Sequence, residues 1–457
     1  MNNMHVLVTL KFYKGELNPF DCSALECALC SGAKVSVLAM APISVKENLE
    51  NLTRLNLDAY LISDFAYAGS DTLATAHVLS QAIKRINPNV IFCGRQSIDG
   101  DTAQVPPMLA QNLGFSFVNK IISVSNDKFV TRCGKNGVFS DKTIYTFERI
   151  KNLRFPSIFS KKKDITIWSN SDLELDLEKV GFKGSPTQVI KSYESNVGRR
   201  FCKFIQKEEL HDLIIEKLNE EKTERSVVLS NAKLDKVYYL GNIKELANSI
   251  SNKAIEVDYH NKTAEDIANY LLANGATAVL FSDDDDLKIL SAKIAVLTNS
   301  GLCADCISLK VENDKLVMTR PAQGGSITAD IICKSKMTLA TIRTREKTGA
   351  DLIFSFGRGA INDLERLNAL ANKLNAETCA SRVVVDLDKM PYEKQVGLTG
   401  RIIAPKVYVT FGISGAVQHT TAISGAETII AINNDKSARI FDYADFGIVA
   451  NVEDIEL

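Results

Sequence analysis

"KVYVTFGISGAVQHTTA", Lys406 to Ala422, joins a buried-strand pattern to a glycine-bearing turn and then to a helix whose first residues would face that turn. That order makes an anion site: the free N–H groups around Ser414, Gly415 and Ala416, with the Ser414 hydroxyl, can hold a pyrophosphate. Upstream, "DLIFSFGRGAINDLERLNALANKLNAETCASRVVVDL", Asp351 to Leu387, reads as strand, Gly-Arg-Gly turn, helix and strand. Gly357 and Gly359 supply the first part of a dinucleotide fingerprint, and Asn362 stands where its third glycine would be.

Working outward, 457 residues exceed a single core, because cores stop growing near about 250 to 300 residues. The length predicts three domains. Two further segments resemble each other: "NVIFCGRQSIDGDTAQVPPMLAQNLGFSFVNKIISVSNDKFVTR" from Asn89, and "AVLFSDDDDLKILSAKIAVLTNSGLCADCISLKVENDKLVMTR" from Ala278. Each runs strand, turn, helix, "NLGF" or "NSGL", strand, then "NDK" and a strand ending in Thr-Arg, which marks the duplication of one α/β unit. The copies differ at the first turn. In the first, Gly94 and Gly100 allow a close turn and Asp101, Thr102 and Pro106 lead into a helix with N–H groups free for an anion. In the second, Asp283 to Asp286 would repel a phosphate and read as a solvated, helix-capping loop, so a nucleotide site is expected in the first copy alone.

Between the copies, residues 152–200 lose long periodicity at Pro156, Gly184 and Pro186, as an extended arm rather than a further globule would. A helix is expected over roughly Lys207 to Glu221. The expected divisions are 1–150, an α/β domain with the nucleotide site; 151–224, arm and helix; 225–347, the second α/β domain; and 348–457, the dinucleotide-binding domain built on the two glycine turns.

Composition excludes several classes. Lys+Arg 54 against Asp+Glu 55 leaves a net charge of -1, with no basic field for nucleic acid. The start has no basic region or cleavage site, and no apolar run approaches the roughly 20 residues of a bilayer span, so a soluble cytoplasmic protein without membrane insertion is expected. Ten cysteines scattered along a long chain suggest reduced thiols; Cys22, Cys27 and Cys30 follow a helical rhythm, and Cys303 and Cys306 fill small core sites. There is no Gly-x-Ser-x-Gly elbow and no His-Glu-x-x-His motif, and His5, His77, His211 and His260 share no metal spacing, which sets aside a hydrolase and a metal site.

"SRVVVD", "PYEKQVGLTG", "APKVYVTFGISGAVQH", "TIIAINND" and "IFDYADFGIV" resemble, in order and spacing, the FAD-binding domain of the electron-transfer flavoprotein α subunit. "LNPFDCSALECAL", "AGSDTLATA", "GRQSIDGDTAQVPP" and "NLRFPS" followed by "KKK" resemble its β subunit, so the chain is similar to a β-then-α fusion. The resemblance implies an α/β fold in which two related adenine-nucleotide-binding-like domains form a base and a C-terminal Rossmann-like domain carries FAD as a mobile head. It implies a one-electron carrier that accepts from or donates to an acyl-CoA dehydrogenase-type flavoenzyme, as in fatty acid beta-oxidation. Carried over by motif, Ser381 and Arg382 would lie beside the isoalloxazine. Gln395, Val396, Gly397 and Thr399 would border it, with the Thr399 hydroxyl toward N5. Arg358, Gly412, Ser414, Gly415, Ala416 and Gln418 would serve phosphate and ribitol, His419 would approach C2=O, and Asn433 and Asp445 would address the adenosine end. Arg382 and His419 suit a flavin that takes up one electron, because positive or hydrogen-bonding groups near N1 and C2=O stabilise the added charge.

In the β-like part the family holds either AMP or a second FAD, the latter serving electron bifurcation from NADH with ferredoxin or flavodoxin as a partner. The resemblance assigns that second nucleotide to Asp71, Thr72, Asp99, Asp101, Thr102 and Gln104. Several features depart from the pattern. Leu398 replaces the family's usual Gln, "KFYKGE" is shorter than the family loop, and the final helix is expected to be truncated. The partner-docking loop is also short: Ile158 matches its anchoring leucine, and Lys161, Lys162 and Lys163 follow at once, either as a solvated run or as docking charges. A nucleotide-binding scaffold without electron transfer is the reading from another class.

Overall fold

The computed structural model describes residues 1, 4–194, 199–220, 232–323, 325, 327–343, 350–397 and 400–456. The chain divides into two compact units. The first comprises Met1–Ser192, Val227–Gln323 and Ala329–Arg343; the second comprises Tyr193–Ser226, Gly324–Thr328 and Thr344–Leu457.

The first unit contains the duplicated α/β domain. Among the described residues, His5–Leu10, Lys34–Met40, Val90–Gly94, Ser116–Ser125 and Thr143–Phe147, in chain order, lie in the sheet in the spatial order second, first, third, fifth, fourth. Leu234–Leu240, Ser251–Glu256, Ala278–Ser282, Gly301–Cys306 and Thr338–Ile342 repeat that order in a separate sheet, and all of these pairings are parallel. Strands such as Val90–Gly94 and Ala278–Ser282 are buried along their whole length, as expected where helices cover both faces of a parallel sheet. The copies even share a defect. The register shifts in Ser116–Ser125 and in Gly301–Cys306 fall at Lys120 (φ 57) and Asp305 (φ 56).

One core joins the copies: Leu79, Met108 and Leu109 of the first belong to the same buried cluster as Leu271, Ile294 and Leu339 of the second. On the far face of the first sheet, Phe92, Phe129, Phe139, Tyr145 and Phe147 pack tilted and edge-on in the arrangement aromatic quadrupoles favour. The segment after residue 148 runs along the surface. Its strand Thr166–Trp168 pairs with Asp58–Ile62, Trp168 stacks on Tyr60 at 5.2 Å, and Thr187–Glu194 joins a sheet with Ile327–Cys333.

The second unit is a parallel sheet. In chain order Leu352–Phe356, Glu377–Ser381, Gln395–Val396, Val407–Phe411, Thr428–Asn433 and Phe446–Val449 take the spatial order 3-2-1-4-5-6, the doubly wound Rossmann arrangement. Lys203–Phe204 pairs with the outer strand Phe446–Val449, and the helix Leu210–Asn219 buries Leu210 and Ile214 in the same core. The expected helix over Lys207 to Glu221 thus begins as a 3-10 turn, Lys207–Glu209, and continues as that helix.

Candidate functional sites

In an open parallel sheet the ligand crevice lies beyond the strand C-termini where the winding reverses. In the second unit that point falls between Leu352–Phe356 and Val407–Phe411, which pair directly. Their two following loops carry the glycines read from the sequence, and the glycines interlock. A Cβ on Gly357 would stand 2.2 Å from the Gly412 carbonyl oxygen, and one on Gly412 (φ +63) 2.7 Å from Gly359 Cα. Gly415 (φ +87) lies equally close to the Ile440 amide. Only residues without a Cβ let the loops approach so closely, leaving Ser414 and Ala416 exposed ahead of the helix Val417–Ile423 and Gln418 exposed in its first turn, with Arg358 exposed on the facing loop. This is a backbone cradle that fits a pyrophosphate.

Ser381 and Arg382 sit at the next strand end, where Arg382 opens the helix Arg382–Asp386 and its Nε pairs with Asp386 Oδ2 at 3.1 Å. Gln395 and Val396 form the short strand beside Ala380 and Ser381, and Gly397 donates its N–H to Arg401 O. Leu398 and Thr399 lie outside the described residues.

Three expected ligand groups are engaged within the protein. His419 is buried, 3.2 Å from the Val396 carbonyl through Nδ1 and 2.9 Å from the Tyr408 hydroxyl through Nε2. A carbonyl can only accept, so Nδ1 carries the proton and Nε2 accepts from Tyr408. Burial pulls the imidazole pKa down to about 4, with the Val396 bond opposing, so His419 is neutral at physiological pH and is no cation. Asn433 donates to Ile413 O at 2.9 Å and accepts from Asp435 N, holding the glycine turn. Asp445 accepts from Ile429 N and pairs with Arg200, tying the 199–220 segment to the sheet.

The first unit holds a cavity of about 470 Å³ at the corresponding switch point, between His5–Leu10 and Val90–Gly94. Thr72, Thr102 and Gln104 line it, and Asp71 lies in its wall. Asp71, however, is fully employed. It caps the helix Thr72–Ile86 through Leu73 N and Ala74 N, and its other oxygen receives Thr187 N and Oγ1 from the arm. Thr72 donates to Gln104, whose amide reaches Leu302 O. Asp99 pairs with Lys11 at 2.8 Å, and Asp101 accepts from Gln96.

The turn's left-handed positions are not its glycines but Asp101 (φ 52) and Ala103 (φ 53). Strain at an alanine persists only where the surroundings over-determine it, and it concentrates at ligand loops. The second copy's aspartates are not simply solvated either, since Asp285 pairs with Lys120 across the copies.

Two lining residues carried no assigned role in the sequence reading. Asp21 belongs to "LNPFD", and Arg320 ends the second copy's Thr-Arg strand. Arg320 donates through Nη2 to Gly100 O at 2.8 Å, lies within the field of Asp305, and has a buried Nε without a hydrogen-bond partner among the described residues. Its sequence signal was the repeat itself; its position came from the packing of one copy on the other.

Elsewhere on the first unit, Phe155, Ile158 and Phe159 are 96%, 84% and 87% exposed on a short loop. Arg54 fastens the loop by donating to Ser157 O and Ser160 O. Of the lysines after it, Lys162 pairs with Glu47 and Lys163 donates to Asn56, while Lys161 is exposed. Among the described residues no His/Cys/Asp/Glu group is placed to hold a metal ion, and no helix is long and apolar enough to cross a membrane.

The profile of the electron transfer flavoprotein domain matches residues 6–142 and 247–385, and that of the electron transfer flavoprotein FAD-binding domain matches 347–424. The chain is 38% identical over 201 residues to an electron transfer flavoprotein subunit beta of Thermoanaerobacterium thermosaccharolyticum, covering 40% of this chain and 77% of that one. It is 46% identical over 111 residues to a subunit alpha of Pseudomonas aeruginosa, covering 24% and 36%. It is 35% identical over 205 residues to the acryloyl-CoA reductase electron transfer subunit beta of Anaerotignum propionicum, covering 34% and 56%.

Proposed function

Because the chain belongs to the electron-transfer flavoprotein family, whose domain profile matches more than half of it, we propose that it carries electrons between one flavoenzyme and another acceptor, with β-like and α-like parts fused in one polypeptide. The FAD belongs to the second unit. The observation that carries this assignment is the interlocked Gly357, Gly359 and Gly412 cradle at the switch point, inside the matched FAD-binding region. Bound FAD supplies one-electron chemistry, and the chain supplies position and charge. Ser414, Ala416 and Gln418 address the pyrophosphate and ribitol with Arg358 opposite, and Arg382 is the cation beside the ring. His419, being neutral and held by Tyr408 and Val396, orients the wall that carries Gln395 and Val396.

We further propose a second nucleotide in the first unit's cavity, with its phosphate on Arg320 and the 96–105 turn. About 470 Å³ lies toward the lower end of ligand pockets, roughly 300 to 1,000 Å³, and favours AMP. The alternative is a second FAD passing electrons from NADH by bifurcation, with ferredoxin or flavodoxin as the other acceptor; "AGSDTLATA" and "GRQSIDGDTAQV" favour it. Phe155, Ile158 and Phe159 present the apolar anchors for an acyl-CoA dehydrogenase- or reductase-type partner in the cytoplasm, a class suggested by the name of the acryloyl-CoA reductase relative.

The test is the visible spectrum of the purified protein, with FAD and AMP quantified per chain after denaturation. One FAD with one AMP supports the simple carrier. Two FAD make NADH oxidation the function to assay, and a colourless protein that refuses added FAD leaves only the scaffold reading.

A further inference from the structure

We propose that Asp21 positions the mouth of the first unit's cavity as an ionised clasp between the ends of its two central strands, a proposal that rests on the nucleotide reading of that cavity. Asp21 lies in the first turn of the helix Pro19–Cys30 and is 6% exposed. Its Oδ2 accepts from Lys11 N at 2.7 Å, just past the strand His5–Leu10, and its Oδ1 accepts from Gly94 N at 3.1 Å, at the end of Val90–Gly94. These two strands flank the switch point, and Leu10, Lys11, Gly94 and Gln96 line the cavity. Gly94 is required for the fit, because a Cβ there would stand 2.3 Å from Asp21 Oδ1.

Both partners are N–H donors, so only a group that accepts at both oxygens satisfies them. An Asn amide turns a donor toward one of the two, and the unmatched buried N–H then favours opening. The groups facing Asp21 are the Asn18 side chain, the Lys11 ammonium already paired with Asp99, Cys93 on the neighbouring strand and Cys22 on its own helix. Burial outweighs the bonds and charge that favour the ion, and pushes the carboxyl up to about 7. The folded value lies above the ordinary aspartate value of 3.8, so this group's contribution to folding stability is full below 3.8 and falls as pH rises to about 7. The ion therefore forms in the closed clasp at a cost in stability, which the N–H bonds from Lys11 and Gly94 offset in part.

The experiment uses the full chain with FAD in the second unit and titrates it with AMP and with FAD as probes at pH 8, where the Asp21 carboxyl is ionised. The expected result is that D21N binds the probes about tenfold more weakly and loses hydrogen-exchange protection at the Lys11 and Gly94 amides, with the second unit's FAD retained. Should D21N not fold, hydrogen exchange of the unsubstituted chain reads the clasp, the Lys11 and Gly94 amides gaining protection as either probe binds. Affinity unchanged in D21N, or amide protection that neither weakens in D21N nor rises on binding, overturns the clasp. Protection that weakens in D21N while neither probe binds the unsubstituted chain overturns the nucleotide reading itself.

Discussion

Arg320 is buried against a cavity whose other charged lining groups, Lys11, Asp21 and Asp71, are already paired or hydrogen-bonded. A buried guanidinium with an unengaged Nε is costly unless an anion completes it. Arg320→Ala is therefore expected to weaken the nucleotide of the first unit by tenfold or more while FAD in the second unit is retained, read as AMP and FAD per chain after dialysis. His419 makes a different prediction. Its native pKa lies at about 4 against the ordinary histidine value of 6.5, so stability is full above 6.5 and is lost as pH falls toward 4. The loss at pH 5 is about 2 kcal/mol, and His419→Gln should remove that part of the difference between urea unfolding free energies at pH 7 and pH 5. The types and spacing of these residues were visible in the sequence. The neutrality of His419 was not, because it follows from burial, which only the folded chain supplies.

The glycine turns were legible because a strand, a break and a helix start leave a local pattern. What the glycines do was only half legible. A positive φ can be guessed at Gly412, but its approach to Gly359 joins two loops more than fifty residues apart in sequence. Gly412→Ala should destabilise the second unit and lower FAD retention well beyond the strain of its backbone conformation, about 1 to 2 kcal/mol. Gly114→Ala, at φ +68 with nothing within 4 Å of a Cβ, isolates that strain and should leave FAD content unchanged. Equal effects of the two on FAD retention would remove the cradle's steric basis. In the first unit the expected glycine freedom fell instead on Asp101 and Ala103, since loop closure against Arg320 and Gln323 sets the dihedrals there.

Three large apolar side chains exposed together on a fastened loop are an unusual surface unless a partner covers them. Replacing Phe155, Ile158 and Phe159 by serine should lower kcat/KM with an acyl-CoA dehydrogenase-type partner by more than tenfold, with the flavin spectrum and FAD content unaltered. An undiminished rate would move docking elsewhere.

The amino-acid order alone specified a duplicated α/β unit followed by a glycine-turned dinucleotide domain, because hydrophobic period, turn residues and helix starts are written in neighbouring positions. Long-range packing supplied the rest. It brought Arg320 of one copy to the cavity of the other, turned Asp71 and Asp445 into anchors for distant segments, and added Lys203–Phe204 to a sheet built from residues 352–449. Which groups meet, and which carry charge once water is excluded, depends on contacts between residues hundreds of positions apart, and no local pattern encodes them.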